Sequence, residues 1–105
     1  LTQVGLFCFW AIMYSVYILY SEKLSKFYIG YSSNVLSRQD YHNSEANVIW
    51  TSKGKPWQAY FVISDLSESQ AIRIEKHIKK MKSRKYIENL KKYPEIVEKL
   101  RARYI

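Results

Sequence analysis

Hydrophobic and polar positions divide the first third of the chain into two strand-like segments. Aromatic and β-branched residues dominate residues 14–20 and 27–31, which favours β-strands. The residues between them are few and polar, so an antiparallel hairpin is the natural connection. Because side chains alternate between the faces of a strand, the hairpin can bring Tyr17 and Tyr28 to a shared face. Two phenols on one face fit ordinary core packing as well as the floor of a catalytic site.

The pattern downstream alternates between helical and strand-like segments. Residues 32–34 are Ser-Ser-Asn and offer helix N-cap candidates, which predicts a short helix at Val35–Asn43. Residues 44–56 have the composition of a loop, and residues 57–63 are rich in aromatic and β-branched residues. These segments therefore predict the order strand, strand, helix, strand.

A longer helix is predicted after the third strand. Two capping frames overlap at its start, one formed by Asp65 and Glu68 and the other by Ser67 and Gln70. His77 lies among lysines and is expected to be solvated. The apolar positions share one face of this helix at helical spacing, namely Ala71, Ile74, Ile78 and Met81.

Two further helices are predicted near the C-terminus. Ser83 is a cap candidate for a helix over residues 84–93, and Pro94 can open a basic helix over residues 94–105. The order of elements predicts an α+β domain, in which helices flank a small three-stranded antiparallel sheet.

The composition is that of one folded domain. Of 105 residues, 48% are hydrophobic and 16% aromatic, which is enough for a single core and argues against disorder. Cys8 is the only cysteine, so a disulfide framework is excluded, and no cysteine–histidine spacing indicates a zinc site. A reducing, cytoplasmic location is therefore predicted.

All of the formal net charge lies in the last third of the chain. Basic and acidic residues balance over residues 1–70, so the net charge of +8 belongs to residues 71–105. This asymmetry indicates a polyanionic partner, nucleic acid first and an anionic membrane surface second; the alternative is a solvated helix face without a specific partner. The candidates for sequence-independent phosphate contacts are Lys76, Lys79, Lys80, Lys82, Arg84 and Lys85.

A second basic stretch lies in the loop before the third strand. Lys53 and Lys55 lie between Trp50 and Trp57. The lysines can grip a nucleic-acid backbone, and Trp50 can stack on a base. Structural packing of both tryptophans is the favoured alternative.

The N-terminus is unusually apolar. Residues 4–20 form a stretch just short of a usual membrane span, without the basic segment that begins a signal peptide. Met13 directly precedes the first strand and is a sensible initiator. Residues 1–12 are therefore expected to be a non-functional extension upstream of the domain at residues 13–93, with a membrane anchor as the less favoured alternative.

Two short motifs carry a resemblance to a known family. Ser15-Val16-Tyr17 is followed by Tyr28-Ile29-Gly30, then by Arg38, Glu75 and Asn89. Taken in this order, the residues resemble the GIY-YIG nuclease domain, in particular the small stand-alone bacterial proteins and the N-terminal nuclease of the excinuclease C subunit. The resemblance runs from about residue 14 to residue 90. Ser15 departs from the family's glycine.

The resemblance implies a role for each site residue. Arg38 would stabilise charge on the scissile phosphate, His42 would assist, and Asn89 would help to orient the site. Glu75 would be the single carboxylate that binds Mg²⁺ or Mn²⁺, which is sensible because Mg²⁺ keeps most of its waters. From spacing alone, Arg38 and His42 also fit surface positions on a shared helix face, and Glu75 fits a charge-balancing contact with Lys79.

The chemistry of the two tyrosines stays open at this point. An ordinary phenol has a pKa near 10, so Tyr17 would need nearby cations to act as a base. Alternatively, Tyr17 aligns a water activated by the metal, while Tyr28 contacts the phosphate. Tyr14, Tyr20, Tyr31 and Tyr60 are expected to pack in the core or at its edge.

The resemblance implies a Mg²⁺-dependent endonuclease without a small-molecule cofactor. Its expected substrate is DNA, in branched, damaged or single-stranded form, in repair or recombination. The alternative is a nucleic-acid-binding module that keeps the fold with little or no activity.

Overall fold

A computed structural model describes residues 13–43 and 53–105 of the chain. The strands are β1 (Tyr14–Ser21), β2 (Lys26–Ser32) and β3 (Gln58–Leu66), and the helices are α1 (Val35–Asn43), α2 (Glu68–Met81), α3 (Arg84–Lys92) and α4 (Pro94–Arg103). The strands form an antiparallel sheet in the order β2–β1–β3. The predicted α+β architecture is therefore confirmed.

The hairpin of β1 and β2 places the two motif tyrosines on one face of the sheet. Tyr28 lies opposite Leu19, which shares its face with Tyr17 because the two are two residues apart on β1. Val16 and Ile18 alternate with them and point to the other face, and all four β1 side chains are buried. The predicted shared face of Tyr17 and Tyr28 is confirmed.

The main core lies on the Val16 face of the sheet, beneath three helices. The helix residues buried there are Ala71, Ile74, Ile78, Ile87, Leu90, Val97 and Leu100. Burying one such aliphatic side chain stabilises the fold by roughly 1.5–3 kcal/mol. The predicted apolar face of α2 extends to Met81, but this side chain is 44% exposed because the helix ends there and Lys82 turns into a left-handed conformation.

Side chains fix the start of α2. The Ser67 hydroxyl accepts a hydrogen bond from the Gln70 backbone N–H at 3.1 Å, and the Gln70 side-chain oxygen accepts one from the Ser67 N–H at 3.4 Å. Of the two capping frames predicted, this is the one that forms. Asp65 does not cap the helix because it still belongs to β3.

Helix α4 packs onto α2 and shares the main core. The Gln70 side-chain N–H donates to the Arg101 carbonyl at 3.1 Å. His77 Nδ1 and the Tyr104 hydroxyl share a hydrogen bond of 2.8 Å, so the expectation that His77 is merely solvated is wrong. The residues after Pro94 are thereby held against the body of the domain.

Two sequence predictions concern residues that the structure does not describe, and a third concerns a membrane anchor. The extension predicted at residues 1–12 and base stacking by Trp50 both lie outside the described residues. Within the described ranges, none of the helices combines the length and the apolar character needed to cross a membrane.

Candidate active site

Tyr17 lies at the centre of the site and owes its position to Gly30. The two residues are cross-strand partners, and the Tyr17 side chain is 1% exposed. A Cβ atom at position 30 would collide with the phenol oxygen and with Cζ of Tyr17. The missing side chain at position 30 therefore lets the Tyr17 ring lie across β2.

Helix α1 is fixed over this face by amide side chains. Asn34 caps its start by accepting a hydrogen bond from the Ser37 N–H at 3.1 Å. At the other end, Asn43 exchanges two hydrogen bonds with the backbone of Trp57, and the Gln39 amide donates to the Trp57 carbonyl at 3.2 Å. These bonds were not predicted from the sequence. Their only signal there is that Gln39 and Asn43 lie four positions apart and so share one helix face.

The anchored helix brings Arg38 and His42 to the Tyr17 phenol. His42 Nε2 lies 3.5 Å from the Tyr17 hydroxyl oxygen, and the imidazole is fully buried. The Arg38 guanidinium lies close enough to the same phenol to oppose the rise in its pKa, and it lies 5.2 Å from the centre of the Tyr41 ring. The residues that the sequence placed on one helix face therefore converge on the Tyr17 phenol.

Burial sets the protonation of these groups. Desolvation raises the pKa of Tyr17, although the hydrogen bond from Arg38 opposes it. Desolvation and the charge of Arg38 lower the pKa of His42, while the bond to Tyr17 raises the pKa of Arg38. At neutral pH the site therefore holds a neutral phenol, a neutral imidazole and a guanidinium cation.

Tyr28 completes an aromatic group around His42. Its ring centre lies 4.4 Å from that of His42, 6.3 Å from that of Tyr17 and 6.1 Å from that of Trp57. The Tyr28 ring is partly buried against the second apolar cluster, which Tyr17, Leu19 and Trp57 form. Tyr28 is thus held by packing at the rim of the site.

Glu75 approaches the site from α2. Its charge lies close enough to Tyr17 to raise the pKa of the phenol. The Glu75 side chain is 13% exposed, and Lys79 Nζ lies 3.2 Å from its carboxylate. The contact with Lys79 predicted from spacing is therefore present. Beside it a shallow groove runs along the free edge of β2, lined by Phe27, Tyr28, Ile29 and Lys79.

Asn89 is not joined to the other predicted site residues. It lies on α3, where its backbone carbonyl accepts a hydrogen bond from the Tyr93 N–H at 2.8 Å. Within residues 13–43 and 53–105, no hydrogen bond of its side chain is present. Its orienting role stays a prediction.

The predicted phosphate-binding residues fall on two sides of α2. Lys79, Lys82 and Arg84 line a groove between α2, α3 and the turn of the hairpin, which we call the hairpin groove. Lys76 and Lys80 line another, between α2 and the end of α4, which we call the C-terminal groove. Lys85 is exposed on α3 and lines neither groove; Lys53 is exposed and Lys55 is partly buried, both just before β3.

Arg84 is engaged within the fold. It donates hydrogen bonds to the Ser25 carbonyl at 2.9 Å and to the Tyr20 hydroxyl at 3.2 Å. Its guanidinium also lies 5.3 Å from the centre of the Phe27 ring, and Glu88 lies 3.8 Å away. Arg84 therefore ties α3 to the turn of the hairpin.

Comparison with known proteins identifies the family of this chain. No curated protein and no solved structure matches the chain significantly. The family model described as the GIY-YIG catalytic domain matches residues 13–89. The match begins just before β1 and ends on α3, so it includes every residue of the site described above. The chain therefore belongs to the GIY-YIG catalytic domain family, whose members are typically nucleases.

Proposed function

We propose that this chain is a metal-dependent endonuclease that hydrolyses phosphodiester bonds in DNA. The observation that carries the proposal is the convergence of Arg38 and His42 on the Tyr17 phenol, with Tyr28 at the rim and Glu75 close by. Branched, damaged or single-stranded DNA is the expected substrate, in cytoplasmic repair or recombination.

Glu75 has the chemistry to hold Mg²⁺ or Mn²⁺. Its carboxylate is largely shielded and supplies a hard oxygen donor, which such ions prefer. Among the described residues, no three or more acidic, histidine or cysteine side chains are grouped so that they could hold a metal ion together. A single carboxylate is compatible with Mg²⁺, because this ion keeps most of its waters. When bound, the ion would supply Lewis-acid stabilisation of the leaving oxygen.

Tyr17 would position the attacking water as a neutral phenol. Its raised pKa opposes a resting phenolate, so direct action as an ionised base is disfavoured. Its hydroxyl can instead accept a hydrogen bond from water while donating its own proton toward His42 Nε2. His42 Nε2 can accept this hydrogen bond because burial keeps the imidazole neutral, provided that Nδ1 carries the ring proton.

Arg38 would bind the scissile phosphate. The guanidinium stays charged at any working pH, and its fork matches two phosphate oxygens. Its closeness to Tyr17 would put this charge beside the phosphate on which negative charge develops during in-line attack. Tyr28 lies on the same face and would contact the phosphate from the rim.

The decisive experiment is cleavage of DNA by a matched pair of carboxylate variants. Plasmid, branched and single-stranded DNA are incubated with the full chain in EDTA, Mg²⁺ or Mn²⁺. Glu75→Gln is expected to reduce cleavage at least about 100-fold, because it removes the proposed metal ligand but keeps the shape of the side chain. Glu88→Gln is the control, since it also removes a carboxylate paired with a basic residue four positions away, yet lies outside the site.

Undiminished cutting by Glu75→Gln would contradict the metal-ligand assignment, and cutting in EDTA would contradict metal dependence. A wild-type chain that binds DNA but cuts none of these substrates with either ion would instead be the binding module of the same fold. In the same assay, Tyr17→Phe and His42→Gln should each slow cutting while DNA binding persists.

A further inference from the structure

The C-terminal groove has the side chains of an anion-binding site. Arg73, Lys76 and Lys80 from α2 and Arg103 from α4 line it, and all four are exposed. The partly buried rings of His77 and Tyr104 lie among them, with ring centres 5.6 Å apart. Cations therefore surround an aromatic floor at the junction of two helices.

The fold holds this groove in place. Val97 and Leu100 bury one side of α4 in the main core. The bonds from Gln70 to Arg101 and between His77 and Tyr104 fix the C-terminal end of α4 against α2. The position of Arg103 is thus set by a docked helix that begins beyond the family match, which ends at Asn89.

Among the residues that the structure describes, the cations of the groove have no acidic partner. No ion pair of Arg73, Lys76, Lys80 or Arg103 is present within the described ranges. Arg73 and Lys76 are three apart, and Lys76 and Lys80 are four apart, spacings at which like charges destabilise a helix. The Arg103 guanidinium carbon lies 5.5 Å from the centre of the Tyr104 ring, which in turn contacts His77. An anion bound here would relieve this repulsion.

The groove lies on the flank of α2 opposite to the tyrosine site. At 100° per residue, Glu75 and Lys79 project on one side of the helix and Arg73 and Lys80 on the other. One short stretch of backbone lying in the tyrosine site would therefore not cover both surfaces.

We propose that the C-terminal groove binds the phosphate backbone of a nucleic-acid segment other than the one that lies in the tyrosine site. This inference rests on the proposed function for its ligand class. Two separate backbone contacts on one small domain fit a substrate with more than one arm, such as a branched duplex, better than a single short strand.

Two triple variants with equal loss of charge test the proposal. Arg73→Gln/Lys80→Gln/Arg103→Gln removes three of the four cations of the groove. Lys91→Gln/Lys92→Gln/Lys99→Gln removes three exposed lysines of the same C-terminal third outside the groove. Binding of each full chain to a labelled four-way DNA junction is measured without divalent metal, over a range of salt. The groove variant is expected to bind the junction about tenfold more weakly. The slope of log K against log salt concentration should be smaller in magnitude by about three, and the affinity of the control variant should fall much less.

Equal losses in the two variants would overturn the proposal, because binding would then follow net charge alone. A weakened affinity for vesicles containing phosphatidylserine, with unchanged binding to the junction, would assign the groove to a membrane surface and also overturn it. The same comparison can be made between the single variants Arg103→Gln and Lys99→Gln, which each remove one charge from α4. The readout is binding, so a groove-specific loss in a chain that never cuts DNA would sustain this inference while the nuclease proposal fails.

Discussion

The phenol ring of Tyr17 occupies the space that a side chain at position 30 would need. Gly30 has no positive φ angle, so its role is not to supply an unusual backbone conformation. A Cβ atom there would instead meet Cε2 of Tyr17 at 3.0 Å and lie closer still to its outer atoms. At the scale of single residues, the position of the Tyr17 phenol therefore depends on an absent methyl group.

We expect Gly30→Ala to destabilise the protein and to impair cleavage together. Overpacking of this kind costs about 1–3 kcal/mol, and relief of the clash would move the Tyr17 hydroxyl away from His42. Chemical denaturation measures the first effect and the DNA cleavage assay the second.

A double-mutant cycle with Tyr17→Leu isolates the contact behind this effect. Removing the ring should make Gly30→Ala markedly less costly, because the two changes are coupled through one contact. Equal costs of Gly30→Ala in the two backgrounds would mean that the clash with Tyr17 is not the cause.

At the scale of elements, Arg84 joins α3 to the hairpin across 59 residues of sequence. The side chain bonds to the Ser25 carbonyl and the Tyr20 hydroxyl and lies against the Phe27 ring. The turn that it clamps includes Ser25, whose φ of 53° places it in the left-handed region. The hairpin that carries both motif tyrosines is thus held at its turn by a helix.

Arg84→Gln is therefore expected to change stability more than DNA binding. Loss of the bonds to Ser25 and Tyr20 should lower the free energy of unfolding by about 1 kcal/mol. Lys85→Gln is the matched control on the next residue, exposed and outside both grooves. Urea denaturation and binding of duplex DNA over a range of salt measure both quantities. A loss of binding without a loss of stability would show that Arg84 contacts phosphate instead.

At the scale of the whole molecule, two partly or fully buried histidines link stability to pH. Burial, followed by Arg38, lowers the pKa of His42, and burial, followed by Arg103 and Lys80, lowers that of His77. In the unfolded chain both rings take up protons near their ordinary pKa of about 6.5, whereas in the folded chain they remain neutral to lower pH. Unfolding is therefore accompanied by proton uptake below that pH, so acid favours the unfolded state.

We predict that the free energy of unfolding is steady near neutral pH and falls as the pH drops below about 6.5. The free energy of unfolding keeps falling until the pH is below the pKa values of both histidines in the folded chain. His42 alone contributes at most about 1.4 kcal/mol per pH unit to this fall. Denaturant titrations at a series of pH values measure it. His42→Gln and His77→Gln should each reduce the slope, and the double variant should reduce it further. An unchanged slope in the double variant would assign the acid sensitivity to other groups.

Local periodicity made much of the fold and part of the site predictable. The alternation of strands placed Tyr17 and Tyr28 on one face, and the helical spacing placed Arg38 and His42 together, because both follow from neighbours a few residues apart. The bonds from Asn43 to Trp57 and from His77 to Tyr104 were not predictable. They join polar residues from distant elements, and the sequence around them carries no periodic signal of the pairing.

The two glycine positions of the paired motif, 15 and 30 in this chain, differ in the space available for a side chain. Position 15 holds a serine opposite Ser32, so that place on the hairpin accepts a side chain. Position 30 accepts none while Tyr17 is present. Tyr17 and Gly30 thus form one steric unit divided between the two triplets, and we expect a larger residue at position 30 to be tolerated only with a smaller one at position 17. No such constraint links Ser15 to its partner across the hairpin, because both positions already carry side chains.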